Sequence, residues 1–240
     1  MTNKGIFITG TDTGVGKTIV TAVIAKLMRE AGVKVGVMKP VTSGCVATGE
    51  KLVSEDAELL KWAAATVMTD SEICPYLLRE PLAPSVAAKI DGIDISFEKI
   101  AETYGRIADR HDFVLVEGAG GLLVPLTESM LVSDLIRHLG LPALIVSRPN
   151  LGTVNHTLMT CMCAKYSRID LKGIIINRYP ETPGAAEEYA PRMIESLTGV
   201  RVIGVFPEIV WTNPTVQAHS IYRMIRGTQV ADDLLKSLMN

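Results

Sequence analysis

Gly5-Ile6-Phe7-Ile8-Thr9-Gly10-Thr11-Asp12-Thr13-Gly14-Val15-Gly16-Lys17-Thr18 runs from an apolar strand pattern through a glycine-bearing turn into the helical spacing of Thr18 to Glu30. A strand that turns on glycines into a helix points successive backbone N–H groups into the turn, and the helix N-terminus adds positive potential there. Such a segment holds phosphate. Gly14 and Gly16 permit the turn, Lys17 can reach the β- and γ-phosphates, and the hydroxyl of Thr18 suits Mg²⁺, as in a P-loop. The usual first glycine of the motif would fall at position 11, where the chain has Thr11, and Gly10 stands one residue earlier.

Outward from this segment, short apolar runs alternate with helix-like spacing. The runs Val33 to Met38, Phe113 to Val116, Ala143 to Val146, Gly173 to Ile176 and Val202 to Phe206 read, with Gly5 to Thr9, as buried parallel strands. Asp56 to Ala65, Ser96 to Arg110, Val132 to Leu139, Thr153 to Lys165 and Ala186 to Leu197 read as crossover helices. The expectation is an α/β P-loop NTPase fold, a mostly parallel sheet with helices on both faces. With no repeat or linker in the pattern, residues 1–240 are expected to form a single domain.

Composition narrows the function. At 48% hydrophobic and 21% charged residues the chain is globular, and a formal net charge of -2 gives no reason to expect nucleic acid or an anionic membrane as partner. Met1-Thr2-Asn3-Lys4 leads straight into a strand pattern without a signal-peptide core, so the expected location is cytoplasmic. Cys161 and Cys163 form one C-x-C with no second pair, and Cys45 and Cys74 stand alone, which favours reduced thiols over a metal site. The histidines have no ligand spacing.

In an open parallel sheet the residues just past each strand are site candidates. Lys39 follows the second strand in Met38-Lys39-Pro40-Val41-Thr42-Ser43-Gly44, where it is either a second cation for a transferring phosphoryl group or a surface lysine. Glu117 follows Val114-Leu115-Val116 and precedes Gly118-Ala119-Gly120-Gly121. It is either an acidic Mg²⁺ ligand beside a close backbone approach or a loop residue. Asp56 opens a helix and could be its cap; Glu55 beside it competes for any site role.

Together GTDTGVGKT, MKPVTSG, EDA, LREPLAPSVAA, VLVEGAGGLLVPL, NLGTVNHTL and Asn177 closely resemble the dethiobiotin synthetase family over nearly the whole chain. The resemblance implies an ATP-dependent enzyme that joins CO₂ to diaminopelargonate through a carbamate and a carbamic-phosphoric anhydride, closing the ureido ring of dethiobiotin in biotin biosynthesis. It implies ATP and Mg²⁺ as cofactors, with Lys17, Lys39 and Thr13 at the reacting groups and Thr18, Asp56 and Glu117 on the metal. Gly14, Val15, Gly16, Ile19, Gly118, Ala119, Gly120, Asn177, Arg178, Pro207, Glu208 and Ile209 would line the nucleotide. Ser43, Leu151, Gly152, Thr153, Asn155 and Tyr189 would bind the substrate, the Asn155 helix coming from the partner of a homodimer. Some family members carry Glu at the position of Gly14.

Two other readings share the fold. A cobyrinate-type amidotransferase synthase carries a glutaminase domain with a nucleophilic cysteine, which would begin about where these 240 residues end, so that reading needs a further partner. A partitioning or division-site switch ATPase would carry a signature lysine where this chain has Asp12.

Overall fold

The computed structural model describes residues 4–49, 51–210 and 213–239, so the reading of Met1-Thr2-Asn3 lies outside the described residues. β1 (Gly5–Gly10) leads into α1 (Lys17–Glu30), then β2 (Val35–Met38), the short β3 (Val41–Thr42), and the hairpin strands β4 (Val46–Thr48) and β5 (Lys51–Val53). α2 (Glu55–Ala64), α3 (Asp70–Ile73), β6 (Tyr76–Leu77), α4 (Pro84–Asp91) and α5 (Phe97–Ala108) follow. β7 (Phe113–Gly121), α6 (Val132–Leu139), β8 (Ala143–Ser147), α7 (Thr153–Tyr166), β9 (Leu171–Tyr179) and α8 (Ala185–Thr198) come next. β10 (Val202–Pro207), α9 (Pro214–Ile225) and α10 (Gln229–Met239) complete the described chain.

Six strands form one parallel sheet in the order β10-β9-β8-β1-β7-β2. Every residue of β1 is buried, as a strand covered on both faces must be, which is why such strands read as unbroken apolar runs rather than alternations. One face carries Ile6, Ile8, Val37, Leu115 and Val146 against α1, α2, α9 and α10. The other carries Phe7, Val114 and Val116 against α4, α5 and α6, with a smaller cluster of Ile145, Ile174 and Ile176 under α7 and α8.

The sequence-based strand ends are too short in two places. β7 runs on through Glu117 to Gly121, because the ladder with β1 continues to the pair Gly10 and Gly121, and β9 runs through Asn177 to Tyr179. Glu117 and Asn177 therefore project from within strands, which fixes them more firmly than loop positions would.

Beyond β10, α9 starts where the Asn213 side chain accepts hydrogen bonds from the Thr215 and Val216 N–H groups, with Pro214 at its first position. It docks on α1 and α2 around Lys26. The Lys26 ammonium sits 4.4 Å from the ring centroid of Trp62 and 4.9 Å from that of Tyr222, while Ala218, Ile221 and Ile225 enter the core against α1.

Candidate active site

β1 lies in the middle of the sheet, so the loop that leaves it is flanked by the ends of β7 on one side and β8 on the other. Gly14 (φ 72°) and Gly16 (φ 89°) both take left-handed backbone, which a side chain resists. At Gly16 space is closed too: a Cβ would lie 2.2 Å from the Asn177 side-chain nitrogen. That nitrogen reaches from β9 to donate to the Val15 carbonyl at 2.9 Å, while Asn177 Oδ1 is buried and has no partner. Val15 and Ile19 point their side chains into the core, leaving only their backbone to face a ligand.

Four charged side chains and one hydroxyl converge beside the loop. Lys39, from the end of β2, sets its ammonium 2.6 Å from Asp56 Oδ2 and 2.5 Å from Glu117 Oε1. The Thr18 hydroxyl lies 3.0 Å from Asp56 Oδ1 and 2.8 Å from Glu117 Oε1. Asp56 is free to do this because Ser54 caps α2, its hydroxyl oxygen accepting from the Ala57 N–H, so the alternative of Asp56 as helix cap falls away. Glu55 is exposed and outside the cluster.

Burial by itself would lower the Lys39 pKa, but the charges of Glu117 and then Asp56, with hydrogen bonds to both, outweigh it and hold the ammonium above its ordinary range. Burial would likewise raise the Asp56 carboxyl. The Lys39 charge and hydrogen bond and the Thr18 hydroxyl overcome it and leave that pKa lowered. Lys17 has no such partner at contact. Burial first, and the nearby Lys39 charge second, push its pKa down to about 8. An anion between Lys17 and Lys39 would relieve that repulsion, so the pair is arranged to receive negative charge.

A pocket of about 590 Å³ opens over this cluster. It brings together Thr13, Gly14, Gly16, Lys17 and Thr18 from the loop, Lys39 and Ser43 from the segment after β2, Asp56, and Glu117, Gly118, Ala119 and Gly120 from β7, with Arg178 at one edge. Ser43 Oγ is buried without a partner. Pro81, Leu82, Ala83 and Pro84, with Val41 and Val124, add apolar surface to the same pocket, and the motifs of the sequence give these residues no individual role. Their only signal is the run Arg79 to Ala88.

Other residues stay apart from this pocket within one chain. Leu151 and Thr153, at the start of α7, line a small cavity of about 230 Å³ with Thr11, Asp12 and Arg148. Gly152 caps α7 with φ 97°, and Asn155 and Tyr189 are exposed on α7 and α8. Pro207 ends β10; the Glu208 N–H donates to the Tyr179 carbonyl, and the Ile209 carbonyl accepts from Gln217 at 2.6 Å.

Thr18, Asp56 and Glu117 offer a hydroxyl and two carboxylates, the oxygen set a hard divalent cation takes. Glu117 Oε2 adds a direct sign: it belongs to a fully buried side chain and has no hydrogen-bond partner. Among the described residues no group of three or more His, Cys, Asp or Glu side chains forms a metal cage, so a cation held here would keep sites for other oxygens, such as those of a phosphate. All four cysteines are free thiols, and no helix among the described residues is long and apolar enough to cross a membrane.

A family model described as an AAA domain matches residues 4–215. The chain is similar to the ATP-dependent dethiobiotin synthetase of Bacillus licheniformis, with 47% identity over 218 residues covering 91% of this chain and 92% of the relative. To the enzyme of the same name from Bacillus subtilis it is 40% identical over 91% of this chain and 93% of the relative. Among solved structures it is similar to the cell division ATPase MinD of Pyrococcus furiosus, at a TM-score of 0.60 and 18% identity over 97% of this chain and 99% of the other. A ParA family ATPase from Chlorobium tepidum gives 0.57 and 16% over 98% of both. These two likenesses are of fold.

Proposed function

The chain belongs to the ATP-dependent dethiobiotin synthetase family, and we propose that the pocket between the phosphate loop and Lys39 is where it carboxylates diaminopelargonate and closes the ring of dethiobiotin. The observation that carries this reading is the meeting of Lys17, Lys39, Thr18, Asp56 and Glu117 in one pocket whose lining also includes the apolar Val41, Pro81, Leu82, Pro84 and Val124. Charged groups and apolar surface in one pocket fit a diamine on an aliphatic chain that carries a carboxylate.

The reaction needs no side-chain nucleophile. The carbamate formed from CO₂ and one amine attacks the γ-phosphate of ATP, breaking its bond to the bridging oxygen so that ADP leaves, and the second amine then attacks the carbonyl of the anhydride and displaces phosphate as the ring closes. The protein's part is to position the reactants and stabilise the charge that grows on the transferring group. Lys17 and Lys39 flank that charge, and Thr13 and Ser43 stand beside it with hydroxyls. Gly14, Gly16 and the start of α1 turn N–H groups toward the phosphates, and Asn177, with Arg178 and the turn at Pro207, Glu208 and Ile209, borders the base. Thr18, Asp56 and Glu117 would hold Mg²⁺, which when bound screens the phosphate oxygens and draws electron density from them.

A homodimer completes the site in this reading. Met159, Met162 and Tyr166 on α7 and Tyr189, Met193 and Leu197 on α8 form an exposed apolar face on two packed helices, a surface of the kind that covers itself with a second copy. The Val154 and Asn155 N–H groups in the first turn of α7 would bind the substrate carboxylate of the partner's site together with the side chains of Asn155 and Tyr189.

The test is direct. Incubation with diaminopelargonate, bicarbonate, ATP and Mg²⁺ should give dethiobiotin by mass; ATP turnover indifferent to the diamine would sink the reading. Co-refolding equal amounts of Lys17→Gln and Asn155→Ala should restore about a quarter of wild-type activity if sites are shared across the two-fold, since half the dimers are mixed and each has one intact site. No recovery above the summed activities of the variants would place both residues in one chain's site.

A further inference from the structure

The phosphate loop holds its shape through its carbonyls. The Asp12 carbonyl accepts from Lys17 Nζ at 3.4 Å, that of Val15 from Asn177 at 2.9 Å, and that of Gly16 from the Val20 N–H within α1. The Thr13 carbonyl accepts from Arg148 Nη2 at 2.9 Å. β9 thus supplies the side chain that holds one carbonyl, and the end of β8 supplies the side chain that holds another. Arg148 is exposed, but its backbone is anchored: Pro149 beside it is buried, and the Arg148 carbonyl accepts a hydrogen bond from the Thr153 hydroxyl at the start of α7.

A trans peptide is planar, with its C=O and N–H pointing in opposite directions, so whatever fixes the carbonyl of residue 13 also fixes the N–H of residue 14. Thr13 and Gly14 line the large pocket; Arg148 does not, and it lines the small cavity with Thr11 and Asp12. With the carbonyl drawn toward Arg148, the Gly14 N–H is turned toward the pocket. Gly14 has no side chain to restrain this peptide and sits in left-handed backbone, so the Arg148 side chain is the donor that fixes this plane.

We propose that Arg148 is a positioning residue for phosphoryl transfer. It holds the peptide between Thr13 and Gly14 so that the Gly14 N–H meets the oxygen joining the β- and γ-phosphates, where charge accumulates as that bond breaks. A cation on the carbonyl also polarises the peptide and makes its N–H a stronger donor. The effect therefore grows with charge on the leaving oxygen and favours the transition state over bound nucleotide. The proposal rests on ATP being the phosphoryl donor, as the family reading has it. No local motif marks Arg148 in the sequence.

The experiment compares Arg148→Ala and Arg148→Lys with the wild type by calorimetry, in the presence of Mg²⁺ and the absence of diamine, using ADP and ADP with fluoroaluminate as a mimic of the transferring group. Arg148→Ala should leave ADP affinity within about threefold and weaken the fluoroaluminate complex by about tenfold or more, with Arg148→Lys in between. In turnover, the alanine variant should lose kcat by a similar factor at a KM for ATP within about threefold, and millimolar guanidinium should restore part of it. Equal weakening of both complexes would make Arg148 a general support of the loop, and unchanged binding of both would make it a surface residue; either result overturns the proposal. A wild type that binds fluoroaluminate but makes no dethiobiotin would count against the reaction assigned above and leave this comparison standing.

Discussion

Two cavities of similar size open at opposite ends of the central sheet, and they treat their charges in opposite ways. The one at the C-terminal ends of the strands, about 590 Å³, buries Lys17, Lys39 and Glu117 and locks two of them together. The one at the N-terminal ends, about 630 Å³, is bordered by Lys4, Arg137, Arg168 and Lys172 with Asp112 and Asp170. Its ion pairs are loose: Lys172 stands 3.6 Å from Asp170, and Arg137 stands 4.0 Å from Asp134. Lys4, Arg137 and Arg168 are exposed to solvent. Volume does not separate the two. Desolvation does, because keeping charge out of water costs free energy, and the same low dielectric makes each charge act strongly on a bound ligand.

The sharpest way to break this contrast is to neutralise one lysine at each end. Lys39→Gln should lower kcat by about 10²–10³, roughly 3–4 kcal/mol of barrier, and should also destabilise the fold by about 3 kcal/mol, since it strands Glu117 without its partner. Turnover and thermal melts check both; a kcat within about threefold of wild type would make Lys39 a structural ion-pair residue only. Lys172→Gln should leave kcat within about twofold and stability within about 0.5 kcal/mol.

Next in size, Asp56→Asn and Glu117→Gln should each raise the Mg²⁺ needed for half-maximal activity by about tenfold, while Glu55→Gln leaves the titration in place. A flat response to Asp56→Asn would remove it from the cation site. The smallest effect belongs to the other end. Arg168 follows α7 in left-handed backbone (φ 56°), so Arg168→Gly should gain up to about 1 kcal/mol, a rise in Tm of about 2–4 °C, with unchanged activity. A loss of stability there would mean that the Arg168 side chain contributes more than its backbone costs.

What was legible in the sequence follows the same division. Buried parallel strands advertise themselves as apolar runs, and the phosphate loop has its residues adjacent in the chain, so the sheet and Gly14 to Thr18 could be read directly. The choice between Glu55 and Asp56 could not, because it turns on Ser54 taking the helix cap. The reach of β7 into Glu117-Gly118-Ala119-Gly120-Gly121 was hidden by glycines that read as loop until β1 pairs with them. Arg148 was invisible for another reason: its partner, the Thr13 carbonyl, is backbone, and 135 residues separate them. α9 does carry a signal, Asn213-Pro214 ahead of Val216, Ile221, Tyr222 and Ile225, although the strands and helices read from the sequence end at Phe206.

The packing of α9 and α10 on α1 has a consequence for synthesis. The helix that follows the phosphate loop leaves the ribosome well before the helices that cover its outer face, which emerge roughly 200 residues later, on the order of ten to forty seconds at ordinary elongation rates. During that interval Val20, Ile24 and Leu27 have no cover from Ile221, Ile225 or Leu234. The nascent chain thus carries α1 with an apolar, uncovered face until nearly all of the described chain has been made, and that is the interval in which a chaperone would find something to hold.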